Sequence, residues 1–188
     1  MRVLVACEFS GTVREAFKAR GHDAWSCDLL PTDIPGQHLQ CDVECLRDEH
    51  WDLLIAHPPC TYLSNSGVRW LHEDETRWKK MEQGAKFFRE LMLWKVEKKA
   101  IENPIMHKYA VEIIGRRQDQ IIQPWQFGHG ETKATCLWLK GLPLLKPTNI
   151  VKGREGKVWK MPPGPDRWKM RSKTYQGIAD AMAEQWEV

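Results

Sequence analysis

Short apolar runs alternate with helical periodicities through the first two thirds of the chain. Arg2-Val3-Leu4-Val5-Ala6-Cys7 has the pattern of a buried strand. Phe9-Ser10-Gly11 then turns the chain into a helix carrying Val13, Ala16 and Phe17, with Gly21 just past its end. Ala24-Trp25-Ser26-Cys27 predicts a short second strand ending at Asp28, and Pro31, Pro35 and Gly36 mark a loop. Asp42-Val43 is expected beside a short third strand. Trp51-Asp52-Leu53-Leu54-Ile55-Ala56 predicts a fourth strand, stopped by Pro58 and Pro59. Residues 61–73 read as a polar loop, and Asp74 or Thr76 as the cap of the next helix. In that helix Trp78, Met81, Ala85, Phe88 and Met92 recur at steps of three and four, the period of one buried face. Lys99-Ala100-Ile101 predicts a fifth strand closing at Glu102-Asn103-Pro104. Residues 105–116 read as helix, 135–139 as a late strand and 178–186 as a final helix.

This order implies an α/β protein with a mostly parallel sheet and helices on both faces. Right-handed crossovers then place every strand's C-terminal end on one edge, where ligands of such sheets bind. The residues that deserve inspection are therefore 8–11, Asp28, 57–60 and 102–104. A length of 188 residues suits a single domain. From 145 to 173 the character changes: seven residues are Pro or Gly and no period is clear, which predicts an extended loop or small hairpin.

Composition alters this picture in few places. Apolar residues at 42% and charged residues at 28% are ordinary for a globular protein. No apolar run approaches the ~20 residues that span a bilayer, and the N-terminus has no signal-peptide pattern, so the expected location is cytoplasmic with no membrane partner. The six cysteines include no Cys-x-x-Cys pair, which argues against a disulfide framework. Cys41 and Cys45 with His38 match no common zinc spacing, and no metal is expected. Charge is more informative. The net charge is +3, yet residues 146–173 hold nine Lys or Arg against two acids, a net of +7, so the remainder sums to −4. A basic segment containing Trp159 and Trp168 among cations such as Lys157 and Lys160 suits phosphate contact with base stacking.

Several residues at the strand ends can carry chemistry. Phe9-Ser10-Gly11 by itself fits a plain strand-to-helix turn or a close ligand approach; it is neither a phosphate loop nor a dinucleotide fingerprint. Asp28, at the end of the second strand, suits hydrogen bonding to ribose hydroxyls. With Asp42 and the glycine turn it describes a nucleoside-cofactor site. Cys60 follows two prolines at the end of a core strand, which fix the direction of its thiol as a nucleophile requires. Reaction needs the thiolate, so nearby positive charge or coupled proton transfer must assist. Glu102 ends the next strand and suits either a capping acid beside Pro104 or a general acid, its pKa raised by desolvation so that it can protonate a ring nitrogen. The polar stretch containing Ser64, Gly67 and Arg69 reads as a mobile lid or as an ordinary surface loop.

Together these residues resemble the DNA cytosine-5 methyltransferases. Phe9-Ser10-Gly11 is similar to the family's first cofactor motif, Asp28 falls where the family has its ribose acid, and Cys41-Asp42-Val43 is similar to its Gly-Asp-Ile motif. Pro58-Pro59-Cys60, with Ser64 following, resembles the Pro-Cys nucleophile motif, Ser66-Gly67 the mobile catalytic loop, and Glu102-Asn103 the Glu-Asn-Val motif that grips cytosine. The resemblance implies a Rossmann-like S-adenosylmethionine-dependent fold and DNA as partner. It also implies attack of Cys60 on cytosine C6 while Glu102 assists at N3, then methylation at C5. A target in a duplex is flipped out of the stack in such chemistry. Arg69, Lys157 and Lys160 are the further substrate contacts expected.

The sequence also departs from the family. Val13 and Arg14 replace glycines, His57 and Thr61 flank the nucleophile in place of Gly and Gln, and the arginine-rich motif is missing, with Thr132-Lys133-Ala134-Thr135 a possible replacement. Only residues 141–173, a short basic insert, stand in for a target-recognition region. The small size resembles compact phage enzymes, so the cytoplasm of a bacterial or phage-infected cell is the implied location. The short insert leaves open the same chemistry on single-stranded DNA, RNA or a free cytosine nucleotide, and a non-catalytic DNA-binding module.

Overall fold

In the computed structural model, which describes residues 1–187, the alternating elements close into one seven-stranded sheet. The chain runs through β1 (Arg2–Ala6), α1 (Thr12–Ala19), β2 (Asp23–Asp28), β3 (His38–Gln40), β4 (Leu53–Ala56), α2 (Trp70–Glu73) and α3 (Thr76–Leu93). It continues through β5 (Lys98–Asn103), α4 (Lys108–Ile114), β6 (Gln120–Ile122), β7 (Thr135–Lys140), α5 (Lys157–Lys160), α6 (Arg167–Ser172) and α7 (Gln176–Gln185). The strands lie in the order β3-β2-β1-β4-β5-β7-β6. All neighbours from β3 to β5 pair in parallel, whereas β7 runs antiparallel to both β5 and β6.

The period-two geometry of the strands divides the core in two. Leu4, Ala6, Leu54, Ala56, Ile101 and Trp138 point to one face, where Met81, Ala85 and Phe88 of α3 and Ala110 and Ile114 of α4 cover them. Val3, Val5, Leu53, Ile55, Ala100 and Leu137 point to the other, against Val13 and Phe17 of α1 and Ile178, Met182 and Trp186 at the C-terminus. Because both faces are covered, β1 and β4 are apolar at nearly every position.

From the centre of the sheet the chain leaves β1 toward β2 on one side and β4 toward β5 on the other. The crevice beyond the C-terminal ends of β1 and β4 is therefore the switch point at which such sheets bind ligands.

Several expectations are corrected. Not every strand ends on the ligand edge: β7 is reversed and brings its N-terminal end there. The link from β6 to β7 holds only a 3₁₀ turn, Pro124–Gln126, and antiparallel neighbours need no crossover helix. The strand β6 was not foreseen, since three residues carry no readable period. The third strand is His38–Gln40, and Asp42-Val43 instead opens a 3₁₀ turn, Val43–Leu46. The stretch 61–73 contains α2 and a 3₁₀ turn, Asn65–Gly67. Residues 145–173 contain the short helices α5 and α6 in place of a hairpin. Among the described residues no helix is long and apolar enough to cross a membrane, and no cluster of His, Cys, Asp and Glu is arranged to hold a metal ion.

Candidate active site

Ala6 of β1 pairs with Ala56 of β4, and Ala56 with Ile101 of β5. Cys7, His57 and Glu102 are thus the next residues on three neighbouring strands. They open onto a cleft lined by 7–10, 57–60, 102–104, Lys133 and 171–174.

On the β1 side, Cys7 takes the left-handed conformation (φ 57°), which is rare outside glycine and redirects the chain at the strand end. The Glu8 carboxylate is buried and caps α1. Its Oε1 accepts from Val13 N (2.7 Å) and Ser10 Oγ (3.2 Å), and its Oε2 from Arg14 N (3.3 Å). Burial pushes this carboxyl up, although the charge of His57 and these donors pull the other way. Gly11 precedes the helix at φ 74°, where a Cβ would stand 2.7 Å from Arg14 Nη2. Arg14 is itself fully buried and donates to Ser26 Oγ (2.9 Å) and to the Ile34 carbonyl (2.6 Å), fastening the loop after β2.

Asp28 ends β2, and Asp42 caps the 3₁₀ turn after β3. Asp28 Oδ1 accepts from Leu30 N (2.9 Å), and Asp42 Oδ1 accepts from Glu44 N (3.1 Å). Burial first, then Asp28, Cys27 and Asp42, hold the Cys7 thiol protonated. Val43 is packed in the core.

On the β4 side, the buried Asn103 donates from Nδ2 to the Pro58 carbonyl (2.8 Å), locking the Pro-Pro turn to the end of β5. Its Oδ1 is buried without a partner among the described residues. The Cys60 carbonyl accepts from Leu63 N and Ser64 N (both 3.0 Å), so the thiol heads a tight turn. Burial and the charge of Glu102 push this thiol up, while Lys133 and Arg171 oppose them. Glu102 Oε2 lies 2.9 Å from His57 Nδ1. Burial alone would raise this carboxyl, but the His57 hydrogen bond, the His57 charge and Lys133 hold it below the usual carboxylate range.

The remaining wall comes from two segments that the reversal of β7 and the C-terminal tail bring in. Lys133 precedes β7 and donates from Nζ to the Lys173 carbonyl (3.1 Å). The strap 161–174 lies across the Phe9 turn: the Trp168 ring sits 6.0 Å from the Phe9 ring, and Lys173 Nζ pairs with Asp33 Oδ2 (2.7 Å). Gly177 anchors the strap's end, since a Cβ there would meet the Phe127 carbonyl at 1.9 Å. The arrangement directs a thiol, a carboxylate paired with an imidazole, and two cations at one volume. That set suits nucleophilic addition coupled to proton transfer.

Of the residues singled out by sequence, Phe9, Ser10, Pro58, Cys60, Glu102 and Asn103 line the cleft together. Gly11, Asp28, Asp42, Val43 and Ser64 are outside its lining. So are Arg69, stacked 4.4 Å from the Trp70 ring, Lys157, paired with Glu131 (3.3 Å), and Lys160, beside Trp159. Sequence reasoning gave Glu8, His57 and Arg171 no role. Glu8 and His57 carried a signal, their place next to strand ends; Arg171 carried none.

No family model matches the sequence, and no curated relative matches it. Solved structures that share its fold include two methyltransferases. One is described as a DNA modification methyltransferase encoded within a prophage (E. coli), with 15% identity and a TM-score of 0.51 over 79% of this chain and 51% of that one. The other is the Entamoeba histolytica methyltransferase EhMeth, with 14% identity and a TM-score of 0.50 over 82% of this chain and 57% of that one. This chain thus spans little more than half the length of either. At such identities the likeness is one of fold: the α/β, mostly parallel sheet with helices on both faces is the fold of these methyltransferases.

Proposed function

We propose that this chain transfers a methyl group from S-adenosylmethionine to C5 of cytosine in DNA, with Cys60 as the nucleophile. The observation that carries this reading is the convergence of Cys60, Glu102 and Asn103 with the Phe9-Ser10 turn on one cleft at the switch point. The DNA modification methyltransferase of matching fold supports both the methyl transfer and the polymer.

The cofactor fits the residues present. Asp28 accepts from Leu30 N through Oδ1, leaving Oδ2 for a ribose hydroxyl. Asp42 stands beyond it for the adenine, and Phe9 gives an apolar wall. When bound, the cofactor supplies an electrophilic methyl group. The protein's own work lies at the base. Lys133 and Arg171 favour the Cys60 thiolate, which adds to C6. Glu102 assists at N3, and the unpartnered Asn103 Oδ1 is an acceptor for a substrate amino group. The buried Pro58 and the Asn103 bond hold the nucleophile's turn in place.

Mass analysis of bases after incubating DNA with the cofactor tests the reading. The expected product is 5-methylcytosine, with a covalent adduct on 5-fluorocytosine DNA that Cys60→Ser abolishes. N4-methylcytosine, N6-methyladenine or no product overturns it. Trp159 and Trp168, 68% and 52% exposed among the cations of the segment 146–173, favour a second reading in which the DNA is single-stranded. Methyl transfer compared between single-stranded and duplex oligonucleotides of one sequence decides between them.

A further inference from the structure

We propose that His57 is the proton reservoir of this site: its Nδ1 lends a proton to Glu102 and, through Glu102, to the ring nitrogen of the target base. The inference rests on the cytosine reading above and adds to it a residue at a position where the resembling family has glycine.

Three observations support it. Cys7, His57 and Glu102 stand level at the C-terminal ends of three adjacent strands, and Glu8, the residue after Cys7, lies near enough to feel the His57 charge, so the imidazole has two carboxyl groups near it. Only one of them is free to exchange protons with it. Both Glu8 oxygens are engaged by donors of the α1 turn, whereas Glu102 Oε2 is bonded to His57 Nδ1 at 2.9 Å. Glu102 Oε1 takes no hydrogen bond from the described residues, and Glu102 lines the cleft. Finally, His57 Nε2 is buried and without a partner among the described residues, so the ring is committed to Glu102 alone.

The chemistry needs such a group. Glu102, held below the ordinary carboxylate range, carries no proton of its own at neutral pH. Addition of the thiolate to C6 makes N3 basic, and a donor must be at hand. Starting from the Cys60 thiolate, the sulfur electron pair forms the C6–S bond. The Nδ1–H bond breaks, the carboxyl group of Glu102 carries the proton, and the N3–H bond forms. The imidazolium becomes neutral imidazole, and the adduct is neutral. After methylation the C5 proton leaves to solvent, the sulfur departs with its pair, and the N3 proton returns through Glu102 to Nδ1. The charged groups around His57 are Glu8 after β1 and Glu102 on β5, with Lys133 before β7 and Arg171 of the strap on the wall of the same cleft. The neighbouring Cys7 and Cys136 thiols are pushed up, Cys136 to about 11, and stay uncharged at neutral pH.

Two measurements test this. Nitrogen-15 NMR follows the titration of the His57 ring in the wild type and in Glu102→Gln. The ring is expected to release its proton at lower pH in the variant; an unchanged midpoint overturns the pair as a proton-sharing unit. Single-turnover adduct formation on 5-fluorocytosine DNA is then compared across pH in the wild type and in His57→Asn, whose amide still donates to Glu102 but has no proton to give. The expected result is a loss of about 10²-fold together with disappearance of the alkaline falling limb, in a variant whose melting transition shows it folded. A wild-type rate and profile in His57→Asn overturns the role. If the wild type forms no adduct, the cytosine reading falls and the proton's destination with it, while the NMR titration still reports whether His57 and Glu102 share a proton.

Discussion

At the scale of single residues, the site is an electrostatic compromise around Cys60. Its thiol is half-buried beside a carboxylate, and both facts disfavour the thiolate; Lys133 and Arg171 favour it. Glu102 is the larger of the charged influences, so Glu102→Gln removes a penalty on the thiolate even as it removes the proton path. Alkylation of Cys60 by iodoacetamide near neutral pH, resolved from the other cysteines by peptide mass, is therefore expected to rise severalfold in Glu102→Gln while methyl transfer is lost. Slower alkylation would contradict the placement of that charge. The sign follows from the raised thiol: more thiolate forms as pH rises, and the variant reaches the same thiolate fraction at a lower pH than the wild type. Cys60 and Glu102 were legible in sequence because each ends an apolar strand. His57 was visible only as a departure from a familiar motif, since one residue beside the proposed nucleophile does not reveal which carboxylate it will meet.

At the scale of elements, the strap is where the chain departs most from its sequence pattern. The prolines and glycines of 145–173 read as loop, yet α5 forms just before the strap and α6 within it. Trp168, Lys173 and the Lys133 bond then tie it over the Phe9 turn. The Lys173–Asp33 pair is largely solvated and adds at most about 1 kcal/mol, so the strap is held by several small contacts and suits a closing element. Trp159, whose indole lies against Gly156 and beside Lys160, stands 68% exposed. Trp159→Ala is expected to weaken single-stranded oligonucleotide binding by about 1–3 kcal/mol, the worth of one stacked base, with little change in melting temperature. Fluorescence anisotropy checks this; an unchanged affinity would remove that side chain from the interface. The reversed β7 belongs to this scale as well. A strand pattern has no direction, so, although Thr132-Lys133-Ala134-Thr135 is a candidate replacement for a family motif, the residues of β7 did not show that Lys133, at its N-terminal end, would face the cleft.

At the scale of the whole molecule, stability carries a pH signature of its own. Lys99 is 3% exposed on β5, donating from Nζ to the Met92 and Trp94 carbonyls at the end of α3. Burial, then the facing Lys140, lower its pKa from 10.5 to about 8. Between those values the unfolded chain holds the proton and the folded chain does not, so this group's contribution to stability rises with pH from about 8 to 10.5 and its cost is complete below about 8. The stability of Lys99→Met relative to the wild type, measured by urea unfolding, is therefore expected to be most favourable at neutral pH and to decline through that range. A difference that does not vary with pH would contradict the burial of a charged Lys99.

The sequence by itself determined the α/β alternation, the faces of α1 and α3, and the edge on which Cys60 and Glu102 stand. Each depends on local periodicity and on prolines and glycines that act on their own neighbours. Only the tertiary structure decided that β7 turns back and brings in Lys133. It alone decided that Arg171 reaches the cleft from the strap, and that His57 meets Glu102 across 45 residues of chain. These pairings come from strand order and register, which are set by how two core faces pack against their helices, and no local pattern encodes them.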